Sequence, residues 1–196
     1  AFASLNILFG TWAIYIPIIR EALVLDKATL GFALFFLSLG NFAIFPLASK
    51  IINKIGVGKA TWYGVILICT TAVLPFLALN YYTLIAALFV YGAANGFIDI
   101  AMNTLVTEIE KEDKQNFMSA AHGFFSLGGV IAGLSSFLIL LLNNKIVHIV
   151  GTVIVVLFIN TLLHKKYKHI VAAPIEKEAF KFKNFRPLFL LGIISF

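Results

Sequence analysis

Asp99 is the single acidic side chain set well inside a long apolar run, and its chemistry demands an explanation. An ionised carboxylate near the centre of a bilayer costs at least about 2.5–3.5 kcal/mol. Such a group must face a cavity, find a partner or stay protonated. Asn95, Asp99 and Asn103 are spaced by four, which places them on one helical face. Gly92 and Gly96 form a Gly-x-x-x-Gly pair nearby, a spacing that lets membrane helices approach closely. A polar stripe beside a close-packing stripe suits a helix that lines an internal cavity. Asp99 is then either a proton-coupling group or a structural carboxylate hydrogen-bonded to a neighbouring helix. His122, Ser126, Gly129 and Gly133 make a second face, at spacings of four, three and four. His122 either pairs with Asp99 or binds a solute, or it is an interfacial packing residue. Asn6 and Trp12 are further candidates for solute binding, with Trp12 able to stack on a sugar or another ring. Trp12, Tyr15 and Trp62 also suit an interfacial aromatic belt, and Trp62 suits it best.

The elements that would hold these groups follow from composition. Of 196 residues, 61% are hydrophobic and only 12% are charged, against roughly 25% charged in an average soluble protein. A soluble globular domain and a disordered chain are both excluded by that balance. The single cysteine, Cys69, excludes a disulfide scaffold. Six apolar runs, residues 1–19, 28–49, 60–79, 83–107, 117–142 and 146–163, predict an all-α membrane protein with six transmembrane helices. None of them alternates as a transmembrane β-barrel would require. Pro17 predicts a kink near the end of the first span, while Asn41 and Pro46 in the second are open to either a structural or a functional reading. The organisation expected is a bundle over residues 1–163, a basic loop over 164–186 and the truncated start of a seventh transmembrane helix over 187–196. A seventh span that stops after ten residues implies a fragment of a longer membrane protein.

Net charge is +6. In a soluble protein that would suggest nucleic acid; here it reads as an orientation signal. With the N-terminus in the cytoplasm, 12 of the 15 basic residues fall in the loops after spans two, four and six and their flanks. The remaining three are Arg20, Lys27 and Lys145. The loop over 164–186 serves as a topological anchor attracted to anionic headgroups, with protein or nucleic-acid docking as the other reading. A weak repeat adds to this picture. Ser38-Leu39-Gly40 in span two recurs as Ser126-Leu127-Gly128 in span five, 88 residues later. Three spans separate the copies, so they run in opposite directions, as a three-plus-three inverted repeat predicts.

Other chemistries find little support. A serine hydrolase would need a Gly-x-Ser-x-Gly elbow, and Ser126 lacks one. His122, His148, His164 and His169 are too scattered to predict a metal site, and nothing calls for a cofactor. An enzyme is therefore not expected.

The chain resembles the N-terminal half of a major facilitator superfamily transporter. After span two, Asn53-Lys54-Ile55-Gly56-Val57-Gly58-Lys59 is similar to part of the family's gating-loop signature, with Asn53 where the acid stands. The resemblance marks Asn53, Lys54 and Gly56 as gating-loop residues. Gly96-Phe97-Ile98-Asp99-Ile100-Ala101-Met102-Asn103 and Met118-Ser119-Ala120-Ala121-His122-Gly123-Phe124-Phe125-Ser126-Leu127-Gly128-Gly129 resemble the fucose-permease-like branch. Trp12-Ala13, Ile16-Pro17 and Leu30-Gly31 fit the same branch, while Tyr15 stands where many relatives have Arg. The resemblance implies proton-coupled sugar uptake, with Asp99 as the coupling carboxylate.

The expected function is secondary active transport of a small polar solute such as a sugar, by alternating access, in the bacterial inner membrane. Asp99 couples the proton; Asn6, Trp12, Asn95, Asn103, His122 and Ser126 bind the solute. The partners are the lipid bilayer, the solute, a proton, and a C-terminal six-helix half of the same chain or a second copy, with no nucleic acid. A non-transporting six-helix scaffold or channel subunit is the alternative, distinguished by conductance in place of saturable uptake.

Overall fold

A computed structural model describes residues 1–171, and every described regular element is helical. The first span is α1 (Phe2–Ala22). The second is a pair, α2 (Lys27–Ala43) and α3 (Phe45–Ile55). The third is α4 (Val57–Thr71), prolonged by a 3-10 turn over Leu74–Leu77. Then come α5 (Tyr81–Asp113), α6 (Met118–Ser135), a short α7 (Leu138–Leu142) and α8 (Lys145–Leu163). Five of these stretches are long and apolar enough to cross a membrane, and the bent α2–α3 pair makes a sixth. The start of a seventh helix, and the basic loop beyond residue 171, lie outside the described residues.

Local chemistry sets the ends. The carboxylate of Asp26 accepts from the Thr29 amide at 2.7 Å and starts α2. Asn80 and Thr83 form a reciprocal capping box at the start of α5. Asn144 accepts from the amides of Ile146 and Val147 at the start of α8. The α6 start is capped from a distance: one oxygen of Glu110, on α5, accepts from the amides of Phe117 at 2.6 Å and Met118 at 2.7 Å.

Three expectations change. The second span bends by 42° between Ala43 and Phe45. Pro46 lacks an amide hydrogen, and its ring crowds the carbonyl four residues back. Pro17, by contrast, sits inside an α1 that continues to Ala22. The helix expected over 83–107 runs on to Asp113, so α5 is 33 residues long. At 1.5 Å per residue that is about 50 Å, well beyond a hydrocarbon core of about 30 Å. Glu108 and Glu110 thus stand on helix rather than in a loop.

The closest pairings are α2 on α5 and α1 on α6. Both are seated by small residues. A Cβ on Gly40 would run into the carbonyl oxygen of Phe89, and one on Gly92 into that of Leu37. A Cβ on Gly128 would run into the carbonyl oxygen of Ala3. Gly96 faces Ile44 and Asn41, and Gly10 faces the Cβ of Ala132. These contacts repeat. Moving 88 residues along the chain carries Gly40 to Gly128 and Ile44 to Ala132. Moving 86 carries Ala3 to Phe89 and Gly10 to Gly96. The Gly40–Phe89 crossing therefore maps onto Gly128–Ala3, and the Gly96–Ile44 crossing onto Gly10–Ala132. The two Ser-Leu-Gly segments do the same job at equivalent places. In the same way α4 packs on α5 and α8 on α1. Gly133, on the same face of α6 as Gly129, is not part of a close approach, since a Cβ there would meet nothing within 4 Å.

Two apolar clusters result. The larger runs through the bundle and includes Leu8, Trp12, Tyr15, Ile68, Leu88, Tyr91, Ile98 and Ile149. The smaller joins Ala48, Ile52, Val57, Ala60, Phe97, Ala101 and Leu105, with Tyr167 and Ile170 packed against it. It closes the end of the bundle where α3 meets α4 and where α8 gives out.

Candidate functional site

Helix α5 holds the polar stripe. A cavity of about 260 Å³ is lined by Asn95 and Asp99 of α5, Leu5 and Phe9 of α1, Asn41 of α2 and Phe125 of α6. It lies among the four helices of the two glycine-seated pairs. Asp99 is exposed on the described bundle although it sits mid-helix in a membrane span. The side-chain amide of Asn103 donates to the Asp99 carbonyl at 2.8 Å and to its carboxylate Oδ1 at 3.1 Å. The other carboxylate oxygen accepts no hydrogen bond from a described residue, so it is free to take a proton or a solute hydroxyl.

The remaining candidates are distributed around this centre. His122 is exposed on α6, where its ring meets Phe2 edge-on at 5.5 Å. Ser126 is exposed one turn further along α6. Asn6 lies on the α1–α6 seam, where its amide donates to the Phe125 carbonyl at 2.9 Å and lies against Gly129. Trp12 is buried inside the bundle, tilted against Tyr91 at 6.2 Å, and does not line the cavity. The bundle core takes this indole because its side of α1 faces α5. Asn53 and Lys54 are exposed on α3. Gly56 makes the α3–α4 turn at φ +86°, a conformation that L side chains rarely adopt.

Sequence reasoning missed Leu5, Phe9 and Phe125 as cavity walls, because apolar residues in apolar runs carry no label. Asn41 left a faint signal as a polar residue directly after Gly40. Its Oδ1 is buried without a hydrogen-bond partner among the described residues, beside the place where Gly96 passes. Tyr15 and His148 form an unexpected buried pair, with the hydroxyl 3.1 Å from Nδ1. Among the described residues, no group of three or more His, Cys, Asp or Glu could hold a metal ion.

An all-helical bundle of inverted repeats with apolar spans defines a multi-pass membrane protein. The sequence matches the Major Facilitator Superfamily over residues 1–196, and the chain belongs to that family. It is similar to an uncharacterized MFS-type transporter of Yersinia pestis, 29% identical over 197 residues, covering 100% of this chain and 51% of that protein. An uncharacterized transporter of Sinorhizobium fredii is 29% identical over 153 residues, 77% of this chain and 40% of its own length. Membrane protein MosC of Rhizobium meliloti is 28% identical over 132 residues, 67% of this chain and 32% of its own. The chain thus spans about a third to a half of the relatives it matches. The first two of these relatives carry the name of transporter, and the third that of membrane protein.

Proposed function

We propose that this chain forms the N-terminal half of a proton-coupled secondary transporter that carries a small polar solute such as a sugar. Its organisation is then a six-helix unit over 1–163, a central basic loop over 164–186 and the start of a seventh helix over 187–196. The observation that carries the reading is Asp99, exposed mid-span beside Asn95 and Asn41 at the cavity. Lipid cannot cover an exposed carboxylate cheaply. Water and a second protein wall can. That wall is a C-terminal six-helix half of the same chain, or a second copy.

The solute sits against Asn95, Asn41 and the walls of Phe9 and Phe125, within reach of Asp99 and His122. Asn103 positions the carboxylate; Asn6 holds α1 against α6 and acts on the solute only at the edge of the cavity. Protonation of Asp99 biases the side to which the cavity opens, because the charged and neutral forms are stabilised unequally by the two states. The long motif around Gly96–Asn103 and Met118–Gly129 favours the fucose-permease-like branch and hence a sugar. Lys50, Lys54, Lys59, Lys111, Lys114, Lys165, Lys166 and Lys168 gather at one end of the bundle, which favours a cytoplasmic N-terminus in a bacterial inner membrane.

The test uses the full-length transporter in proteoliposomes with a panel of radiolabelled monosaccharides that includes fucose. Asp99→Asn abolishes accumulation driven by a pH gradient and retains exchange of solute down its own gradient. Normal accumulation by Asp99→Asn overturns the coupling role. Unitary conductance in place of saturable uptake overturns the carrier reading.

A further inference from the structure

A basic cavity lies away from Asp99, at the end of the bundle where α3 turns into α4 and α8 ends. It measures about 550 Å³. Lys59, Trp62 and Tyr63 of α4 line one side, and His164, Lys168 and His169 line the other. No Asp or Glu is among its described lining residues, so every titratable side chain there except the Tyr63 phenol is a base. The cavity is built rather than incidental. The ring of Trp62 stacks on His164, with centroids 4.5 Å apart and planes 20° from parallel. The amide of Gly58 donates to the Ile170 carbonyl at 2.9 Å, which pins the segment after α8 against the start of α4. A Cβ on Gly58 would run into the Tyr167 carbonyl oxygen, so this close seat requires glycine.

We propose that this cavity binds the phosphate of an anionic phospholipid headgroup, in the leaflet at the basic end of the bundle. Lys59 and Lys168 line the cavity with no carboxylate among its described lining residues, which suits a phosphate. The aromatic pair places it at headgroup depth, where Trp and Tyr concentrate. The direction away from the cavity selects lipid over free phosphate. Ile66 and Leu67 lie one turn beyond Tyr63 on α4, both exposed, and offer an apolar lane for acyl chains. The cavity shares no lining residue with the Asp99 site. The lipid is therefore a bound partner of the bundle, whatever the central cavity carries.

Brominated acyl chains quench nearby indoles, and the part of the quenching that is lost in Trp62→Phe isolates this site from Trp12 and from any tryptophan outside this chain. The full-length protein is reconstituted in phosphatidylcholine vesicles containing increasing fractions of brominated phosphatidylglycerol. Quenching of Trp62 should reveal a preference for phosphatidylglycerol of about tenfold or more, since each Lys near an anionic surface contributes about a factor of five. Lys59→Gln with Lys168→Gln brings the ratio to about one, whereas Lys111→Gln with Lys114→Gln, the same charge loss elsewhere at this end, keeps it. Inorganic phosphate at constant ionic strength does not displace the lipid. A wild-type ratio near one overturns the proposal without any variant. So does an unchanged ratio in the Lys59/Lys168 variant, or an equal loss in the Lys111/Lys114 variant. Displacement by inorganic phosphate assigns the site to a free phosphate and overturns the lipid.

Discussion

Adding one methyl group at chosen glycines tests the architecture directly. A Cβ on Gly128 collides with the backbone oxygen of Ala3, and a Cβ on Gly92 with that of Leu37. A backbone oxygen cannot rotate away as a side chain can, so the two helices must part along the whole seam. Overpacking of this kind costs about 1–3 kcal/mol. Gly133 lies five residues from Gly128 on the same helix and faces open space. There, Gly→Ala removes only the helix penalty of glycine, worth about 0.8–1.0 kcal/mol in favour of alanine. The two substitutions thus share helix and chemistry, about 7.5 Å apart along the axis, and differ chiefly in what the new methyl meets. Cys69, the sole cysteine, is fully buried in α4 and supplies the readout. A thiol-reactive dye labels it only as the bundle opens on heating. A loss of about 2 kcal/mol lowers the midpoint by about 4–8 °C for a chain of this size, on soluble-protein scaling. Gly128→Ala, Gly40→Ala and Gly92→Ala should each fall by that order, and Gly133→Ala should hold or rise. A Gly133→Ala drop equal to that of Gly128→Ala refutes the seam reasoning. A stable Gly40→Ala beside an unstable Gly128→Ala refutes the equivalence of the two crossings.

Two further expectations concern helix starts. Glu110→Ala leaves the amides of Phe117 and Met118 without their shared acceptor and should cost about 0.5–2 kcal/mol; Glu110→Gln, which keeps an oxygen there, should cost less in the same thermal assay, and equal losses would refute the charge-assisted cap. At the start of α2, the Thr29 amide holds the Asp26 carboxyl below its ordinary range. Its contribution is full above the ordinary carboxylate pKa and fades as pH falls through the lower, folded value. The stability of wild type relative to Asp26→Asn should therefore decline on acidification below about pH 4; a difference independent of pH would refute it.

The sequence carried more of the bundle than of the cavity. Apolar runs locate the spans because lipid demands them, and Gly92, Gly96 and the Ser-Leu-Gly copies reveal the crossings because close approach excludes side chains. The bend at Ile44 was less legible. Pro17 and Pro46 look alike in sequence, yet only the second coincides with a break in the helix. The extension of α5 past residue 107 was masked by charge, since Glu108 to Asp113 reads as loop by composition although it continues the helix. Asn95, Asp99 and Asn103 were legible from their spacing, and the Asn103 hydrogen bond to Asp99 is local to that helix. Trp12 was not: helical spacing alone does not say which neighbour a face meets, and its face meets Tyr91. Phe9 and Phe125 join Asp99 only through the crossing of four helices, information that no single span contains.

The glycine-seated pairs also bear on how the chain is made. Each leaves one triplet of spans and joins the other, so α1 finds its principal neighbour in α6 and α2 finds its own in α5. The ribosome completes α1 at Ala22 and begins α6 at Met118, 96 residues later. At about 5–20 residues per second, that interval is about 5–20 s. Throughout it, Asn6 has no Phe125 carbonyl to meet and Ser4 no Asn160. The first helix must therefore wait in the insertion machinery or in lipid with its polar groups unsatisfied. Nascent chains arrested before and after Met118 should differ sharply in how readily α1 crosslinks to the insertion apparatus.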